Sequence, residues 1–283
     1  MKYRLLVADI DGTLVTSERE ITQGVLQAVR AAQERGVRVC LATGRMWPSA
    51  APYFQRLGAD PPAILYNGGL VYDFSTGTVL RRIPLAYDHA RVVLELLREF
   101  PQVQPHLFVD DRVYIGRVNE FTERYRRKDG LQVQEVGDLV AFLPPTPMKI
   151  LIIGQNPDLV RAYDRIKALP MDINAVFSEQ TYLEILPAGS SKGAALAFMV
   201  QHLEILLEAV IAVGDNLNDL EMIRLAGLGV AMGNAPEALR AQADFVTATN
   251  DEEGLREVIE RFILKSTESP KAATRRPRSG STE

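Results

Sequence analysis

Short apolar runs recur along the chain, each closing on a polar tip, and stretches of helical spacing separate them. The first run, Leu5-Leu6-Val7-Ala8, carries no polar residue, so it reads as a strand buried on both faces. It leads directly into Asp9-Ile10-Asp11-Gly12-Thr13-Leu14. Over 22–35 the positions Val25, Leu26, Ala28, Val29 and Ala32 share one helical face, and Gly36 closes the helix. A second strand over 37–42 ends in Thr43-Gly44-Arg45, a helix follows over 48–57, and a third strand over 63–66 ends in Asn67-Gly68-Gly69. Asn67-Gly68 is also a hairpin signal, and Leu70-Val71-Tyr72 with Val79-Leu80 predicts a small β-ribbon leaving the sheet. Strand and helix in alternation predict a parallel sheet covered by helices through right-handed crossovers.

From about Pro84 the pattern becomes mixed. An amphipathic helix over 89–100 precedes short strands near 113–115 and 133–136, a turn rich in proline at Pro144, Pro145 and Pro147, and a strand over 149–153. A helix over 158–169 and strands over 173–177 and 182–186 complete an α+β unit. Residues 84–183 are therefore expected to form an inserted α/β cap beside the first strand tips, where a lid would sit. The opening pattern then returns: Ser190-Ser191-Lys192-Gly193 starts a helix to about His202, and Val210-Ile211-Ala212-Val213 ends in Gly214-Asp215-Asn216-Leu217-Asn218-Asp219. Two short strands over 228–232 and 245–246 and a helix over 255–264 follow. The expected fold is α/β, a doubly wound parallel-sheet core made of residues 1–83 and 184–265 with the cap inserted between them. Residues 266–283 are rich in Ser, Thr, Pro and Arg and are expected to be a disordered tail.

Composition narrows the class. Of 283 residues, 47% are hydrophobic and 24% charged, ordinary for a globular protein. A net charge of −4 argues against a nucleic-acid partner. Cys40 is the single cysteine, so no intrachain disulfide forms, and its apolar run marks it as a buried structural thiol in a reducing compartment. The chain enters its first strand within a few residues and has no apolar run of membrane-spanning length, so a cytoplasmic location without a membrane partner is expected.

Candidate chemistry gathers at the strand tips. Alternation along an extended segment would point Asp9 and Asp11 the same way, so that the pair could share one cation. Gly12 would let the backbone approach a ligand closely, and Thr13 offers a hydroxyl and an amide. A calcium loop is excluded, because the glycine comes too early for an EF-hand and a strand precedes the loop. His89, His106 and His202 lack metal-ligand spacing. Gly227, Gly229 and Gly233 miss the dinucleotide-loop spacing.

The segments Asp-Ile-Asp-Gly-Thr-Leu at 9–14, Ala-Thr-Gly-Arg at 42–45, Ser-Lys-Gly at 191–193 and Gly-Asp-Asn-Leu-Asn-Asp at 214–219 resemble, in order and spacing, the haloacid dehalogenase superfamily of phosphohydrolases and its Cof-type branch. Asn67-Gly68-Gly69, Glu184-Ile185 with Pro187, and Ala231-Met232-Gly233-Asn234-Ala235 add to the resemblance, which spans 3–264. It implies a phosphomonoester hydrolase in which Asp9 attacks phosphorus to form an aspartyl-phosphate. Mg²⁺ would be held by Asp9, the main-chain carbonyl of Asp11, and Asp215, with Asp219 supporting it from behind. Asp11 would act as general acid and then base, Thr43 would donate to a phosphoryl oxygen, and Lys192 would neutralise nucleophile and phosphate. Asn218 would bind the phosphate or orient Lys192, and Gly44 would belong to the substrate site; Arg45 and Trp47 could reach an anionic or planar leaving group, and Lys149 or Arg112 could line the cap face.

The partner expected is a small phosphorylated metabolite, a sugar phosphate or a phosphorylated cofactor such as pyridoxal phosphate or flavin mononucleotide, bound by a monomer or homodimer. Two alternatives remain open in the sequence. One is a phosphosugar mutase using the same aspartyl-phosphate, and the other is a non-catalytic protein that binds phosphometabolites.

Overall fold

The computed structural model describes residues 2–129 and 132–265, and the tail expected at 266–283 lies outside them. The chain opens with β1 (Leu5–Ala8), α1 (Gln23–Glu34), β2 (Arg38–Leu41) and α2 (Trp47–Leu57). Strands β3 (Ala63–Leu65), β4 (Leu70–Asp73) and β5 (Thr78–Arg82) then form a small antiparallel sheet, the ribbon expected from Asn67-Gly68. Next come α3 (Tyr87–Leu97), β6 (Gln104–Val109), β7 (Arg112–Ile115), α4 (Glu120–Asp129), β8 (Val133–Glu135), α5 (Leu139–Phe142), β9 (Lys149–Ile153), α6 (Asn156–Lys167), β10 (Ile173–Glu179) and β11 (Tyr182–Pro187). The chain closes with α7 (Lys192–His202), β12 (Val210–Gly214), α8 (Leu220–Leu225), β13 (Leu228–Ala231), α9 (Glu237–Arg240), β14 (Phe245–Val246) and α10 (Gly254–Ile259).

The first sheet is parallel throughout, in the order β14-β13-β12-β1-β2, and β3 touches its edge through a parallel bridge from Ala42 to Ile64. Successive strands step outward from β1 to β2, and the chain then returns to β12 on the other side of β1. That reversal opens a crevice at the carboxyl ends of β1 and β12, where ligands bind in open α/β sheets. Alternation explains why the strands are apolar on both faces. Leu6, Ala8, Val39 and Leu41 pack with Val25, Val29, Leu255 and Val258 of α1 and α10, whereas Leu5, Val7, Cys40 and Ala42 pack with Ala195, Leu196 and Met199 of α7. Burying each such Val or Leu contributes about 1.5–3 kcal/mol. Cys40 is buried, and its desolvation pushes the thiol far above the ordinary range, so it is an inert core group.

The second sheet runs β10-β11-β9-β6-β7-β8 and is antiparallel except where β7 meets β8. Leu107, Ile150, Ile152, Leu183 and Ile185 face Val93, Leu97, Leu159 and Ile166 of α3 and α6. The opposite face turns Phe108, Lys149, Leu151, Tyr182 and Glu184 toward the tips of the parallel sheet. The chain returns to the parallel sheet after Pro187, so residues 183 and 184, the sequence-based boundary, both lie inside β11.

Three elements of this unit, β6, α4 and the short α5, have no counterpart in the sequence-based expectation. Strand β6 contains Pro105, which argues against a strand in the middle of a sheet. It is accommodated because β7 starts to pair only at His106, leaving Pro105 opposite Ile152 of β9 alone. Helix α4 is almost wholly polar and offers only Phe121 and Tyr125 as large apolar anchors.

His106 is fully buried in β6, with Nδ1 3.1 Å from the Gln104 carbonyl and Nε2 3.3 Å from the Thr122 hydroxyl. Burial lowers its pKa from 6.5 to about 4. The unfolded chain therefore takes up a proton near 6.5 and the folded chain only near 4, so the stability tied to neutral His106 is complete above pH 6.5 and is lost as pH falls across that window. We expect the unfolding free energy to drop by up to about 3 kcal/mol from this group between those limits. Urea titrations at pH 7 and pH 4.5 should show a smaller drop for His106→Gln than for the native chain.

Candidate active site

The site begins where β1 stops. Asp9 is still extended, with φ −69° and ψ 166°, but over Ile10–Leu14 the chain closes into a wide turn in which Val15 N–H donates to the Ile10 carbonyl. Gly12 has φ +75°, and a Cβ there would fall 2.3 Å from Asp215 Oδ2, so only glycine leaves room for that carboxylate. The turn corrects the expectation from alternation. Asp9 Oδ1 accepts from Ile10 N–H at 2.7 Å and pairs with Lys192 Nζ at 2.9 Å, whereas the Asp11 carboxylate takes Arg45 Nε and Nη2 at 2.7 and 2.6 Å. The two carboxylates therefore do not share one cation through their side chains, because the backbone between them is not extended.

The carboxylates that do converge are Asp9, Asp215 and Asp219, whose nearest oxygens lie within 4.8 Å of one another. Lys192, the first residue of α7 and wholly buried, reaches Asp9 and also Asp219 Oδ1, the latter at 2.6 Å. Asp219 Oδ2 accepts from the N–H groups of Asp215 and Asn216 at 2.9 and 3.0 Å, so both its oxygens serve the protein itself. Thr13 Oγ1 donates to Asp215 Oδ1 at 3.1 Å. Among the described residues Asp9 Oδ2 and Asp215 Oδ2 have no hydrogen-bond donor, and both residues border the cavity. Burial pushes Asp9 up to about 7 against the pull of Lys192, and Asp215 also lies well above the ordinary carboxylate range through burial and the neighbouring Asp9 charge. Burial alone would lower Lys192, but Asp219 and Asp9 outweigh it and hold the ammonium charged. Three carboxylates against one ammonium leave a deficit of positive charge, and the oxygen-only donor set suits a hard divalent cation.

Thr43 is buried at the end of the bridge from β2 to β3, and its Oγ1 accepts from Arg45 N–H at 3.1 Å. Asn218 borders the cavity, but its amide donates to Asn67 Oδ1 at 3.0 Å, and it makes no hydrogen bond to Lys192. Among the described residues the amides leave Asn67 Nδ2 and Asn218 Oδ1 buried without hydrogen-bond partners. Trp47 does not reach the site, because it packs with Phe54, Tyr72 and Phe74 at centroid distances of 5.5, 5.2 and 5.2 Å. Arg112 is exposed on β7 and does not line the cavity, whereas Lys149 does.

The cavity, of about 420 Å³, lies between the tips of the parallel sheet and the open face of the second sheet. Asp9, Asp11, Thr43, Gly44, Arg45, Asp215 and Asn218 line its floor. Phe108, Tyr125 and Tyr182 form an aromatic wall opposite, which sequence reading missed because they come from three separate elements. Asn234, flagged in the sequence only as part of a motif, donates to the Gly12 carbonyl at 2.9 Å and pins the turn. Asn216 Nδ2 donates to the Ser178 carbonyl of β10 at 2.7 Å, a tie between the two sheets that no local pattern announces.

A family model described as haloacid dehalogenase-like hydrolase matches residues 6–259, which span both the parallel sheet and the second sheet. The chain belongs to the haloacid dehalogenase-like hydrolases. YxeH of Bacillus subtilis is 34% identical over 275 residues, 93% of this chain and 99% of that protein. The pyridoxal phosphate phosphatase YbhA of Escherichia coli is 28% identical over 273 residues, 93% of this chain and 100% of its own length. The crystal structure of a haloacid dehalogenase-like hydrolase from Bacteroides thetaiotaomicron superposes with a TM-score of 0.82 at 30% identity, covering 92% of this chain and 99% of that one. Among the described residues no helix is long and apolar enough to cross a membrane.

Removing the central cation should leave Asp9 and Asp219 as uncompensated buried charges. Lys192→Met is expected to lower the unfolding free energy by about 3–5 kcal/mol. Urea denaturation at pH 7.5 without divalent cations measures it, and a loss below 1 kcal/mol would mean that the carboxylates find compensation elsewhere.

Proposed function

We propose that the chain is a Mg²⁺-dependent phosphomonoester hydrolase of small phosphorylated metabolites that works through an aspartyl-phosphate on Asp9. The observation that carries this reading is the state of Asp9. Its Oδ1 is fixed by Ile10 N–H and Lys192, and its Oδ2 has no donor among the described residues, in a cavity that Thr43, Arg45, Lys149 and the rings of Phe108, Tyr125 and Tyr182 also line. A cavity of about 420 Å³ suits a small metabolite. The name of YbhA, a pyridoxal phosphate phosphatase, supports a phosphorylated small molecule as substrate.

The donor set fits Mg²⁺ on two observations, the carboxylate oxygens left without donors and the space that Gly12 keeps open beside Asp215. Asp9, Asp215 and the main-chain carbonyl of Asp11 would hold the ion, with Asp219 orienting Lys192 and the Asp215 backbone from behind. When bound, the ion cancels the repulsion between an anionic nucleophile and an anionic phosphoryl group. Asp9 Oδ2 attacks phosphorus and the ester P–O bond breaks, while Asp11 gives a proton to the leaving oxygen. Water then loses a proton to Asp11 and attacks the phosphoaspartate, breaking the Asp9–phosphorus bond and releasing inorganic phosphate. Thr43 donates to a phosphoryl oxygen, and Lys192 steadies the charge that builds on it. Arg45 holds Asp11 at the cavity wall, and Gly44 and Asn218 border the phosphoryl position. In this reading the six-stranded sheet with its helices is a cap over a catalytic core, inserted between β5 and α7.

Phosphate release from a panel of phosphomonoesters, with Mg²⁺ or with a chelator, tests the proposal. Release should require Mg²⁺, vanish in Asp9→Asn, and fall by about 10²–10³ in Lys192→Ala. Conversion of a sugar phosphate into its isomer without net phosphate would instead make the chain a mutase, and binding without turnover would make it a sensor.

A further inference from the structure

Across the cavity from Asp9 lies an ion pair that the hydrolytic steps do not use. Lys149 opens β9 and Glu184 lies in the neighbouring β11, and their side chains, 4% and 5% exposed, meet at 2.8 Å. The ammonium also lies 4.7 Å from the centre of the Phe108 ring and 5.9 Å from that of Tyr66. A pair so deeply desolvated is a poor stabiliser, since apolar side chains of the same volume often do as well or better. What sets this pair apart is a third partner. Lys149 Nζ donates at 2.8 Å to the carbonyl of Gly44, which belongs to the loop after β2 and therefore to the opposite wall.

Gly44 lies between the residues that the hydrolytic reading places on the phosphoryl group and on Asp11. Thr43 Oγ1 accepts from Arg45 N–H, and Arg45 grips Asp11 through two nitrogens. Gly44 is closely packed, since a Cβ there would fall 2.9 Å from Asn67 Nδ2 and 3.2 Å from Glu184 Oε1. Glu184, Lys149, Gly44, Arg45 and Asp11 thus form one chain of contacts that begins in the six-stranded sheet and ends on the turn after β1. We propose that Lys149 and Glu184 are positioning residues: seated against Gly44, they set the place of the Thr43 hydroxyl and, through Arg45, of the Asp11 carboxylate. The consequence for turnover rests on the hydrolase reading given above, whereas the ordering of the loop does not. Glu184 touches neither Asp11 nor Thr43 and acts by aiming the ammonium.

Lys149→Met, Glu184→Leu and the double variant, all in the full chain, test this. Each single variant should lose both melting temperature and kcat. The double variant, with an apolar pair in place of the ions, should regain the melting temperature while kcat stays about 100-fold low with KM little changed, because the Gly44 carbonyl still lacks its donor. Amide hydrogen exchange should accelerate over 43–46 in the double variant while β9 and β11 keep native protection, a readout that needs no turnover. If the double variant does not fold, the same exchange measurement on Lys149→Met decides. Recovery of kcat together with stability, or native exchange over 43–46, would overturn the proposal. Absence of phosphate release from the unmodified protein would count against the hydrolase reading and leave the exchange result to decide the positioning role.

Discussion

Three carboxylates, Asp9, Asp215 and Asp219, lie within 4.8 Å of one another at the ends of two adjacent parallel strands, and the ammonium of Lys192 makes that crowding tolerable. Without it the group would be several buried like charges, and the pairing of β1 with β12 would bring repulsion with it. The ammonium is in turn held in place by helix geometry: as the first residue of α7, capped by Ser191, its position is fixed by a packed element. Asp219 is tied at both oxygens, one to Lys192 and one to the backbone of Asp215 and Asn216, so it transmits the position of α7 to the tip of β12. The geometry of the carboxylate cluster and the stability of the core are here the same set of contacts. The charge balance is still incomplete, and that deficit is the physical reason to expect a cation.

The rest of the molecule arranges what faces this cluster. Strand β1 delivers Asp9 and then stops, and Gly12 lets the chain turn so that Asp11 leaves the cluster for Arg45. The second sheet presents a polar and aromatic face to the same space, because its alternating residues send the purely aliphatic set toward α3 and α6. Direct contacts join the two walls at several points: Lys149 to Gly44, Asn216 to Ser178, Tyr66 to Asp111 at 2.7 Å and Arg82 to Asp110 at 2.8 Å. These contacts come from loops and strand ends, places where a small shift alters the cavity without breaking a ladder.

Strands buried on both faces, amphipathic helices and acidic strand tips are local signals, and they carry the parallel sheet from β1 to α10. The start of α7 was legible because a serine-capped helix start follows a glycine turn, whereas the role expected of Lys192 came only from the resemblance carried by Ser191-Lys192-Gly193. Strand β6 was hidden by Pro105, since whether a proline harms a ladder depends on where the neighbouring strand begins to pair. Helix α4 was hidden because two aromatic anchors among charges are too few to show a period. The orientation of Asp11 was misread because alternation was extended beyond the end of the strand, where one residue of turn reverses the side-chain direction. Trp47, a natural guess for a ligand contact, lies instead among Phe54, Tyr72 and Phe74, brought together from α2, β4 and the turn that follows it.

The sequence by itself determined which residue types stand at the strand tips, because a buried run and a polar break are written in consecutive positions. Only the tertiary structure decided who their partners are: Asp219 behind Lys192, Arg45 on Asp11, Asn67 on Asn218, Lys149 on Gly44. Each of these pairs joins residues that lie far apart in the chain, 27 positions at the nearest and 151 at the farthest, and they meet through crossovers and loop closures that no local window contains. A period in the sequence reports which face is buried, and it is silent about which distant element will cover that face.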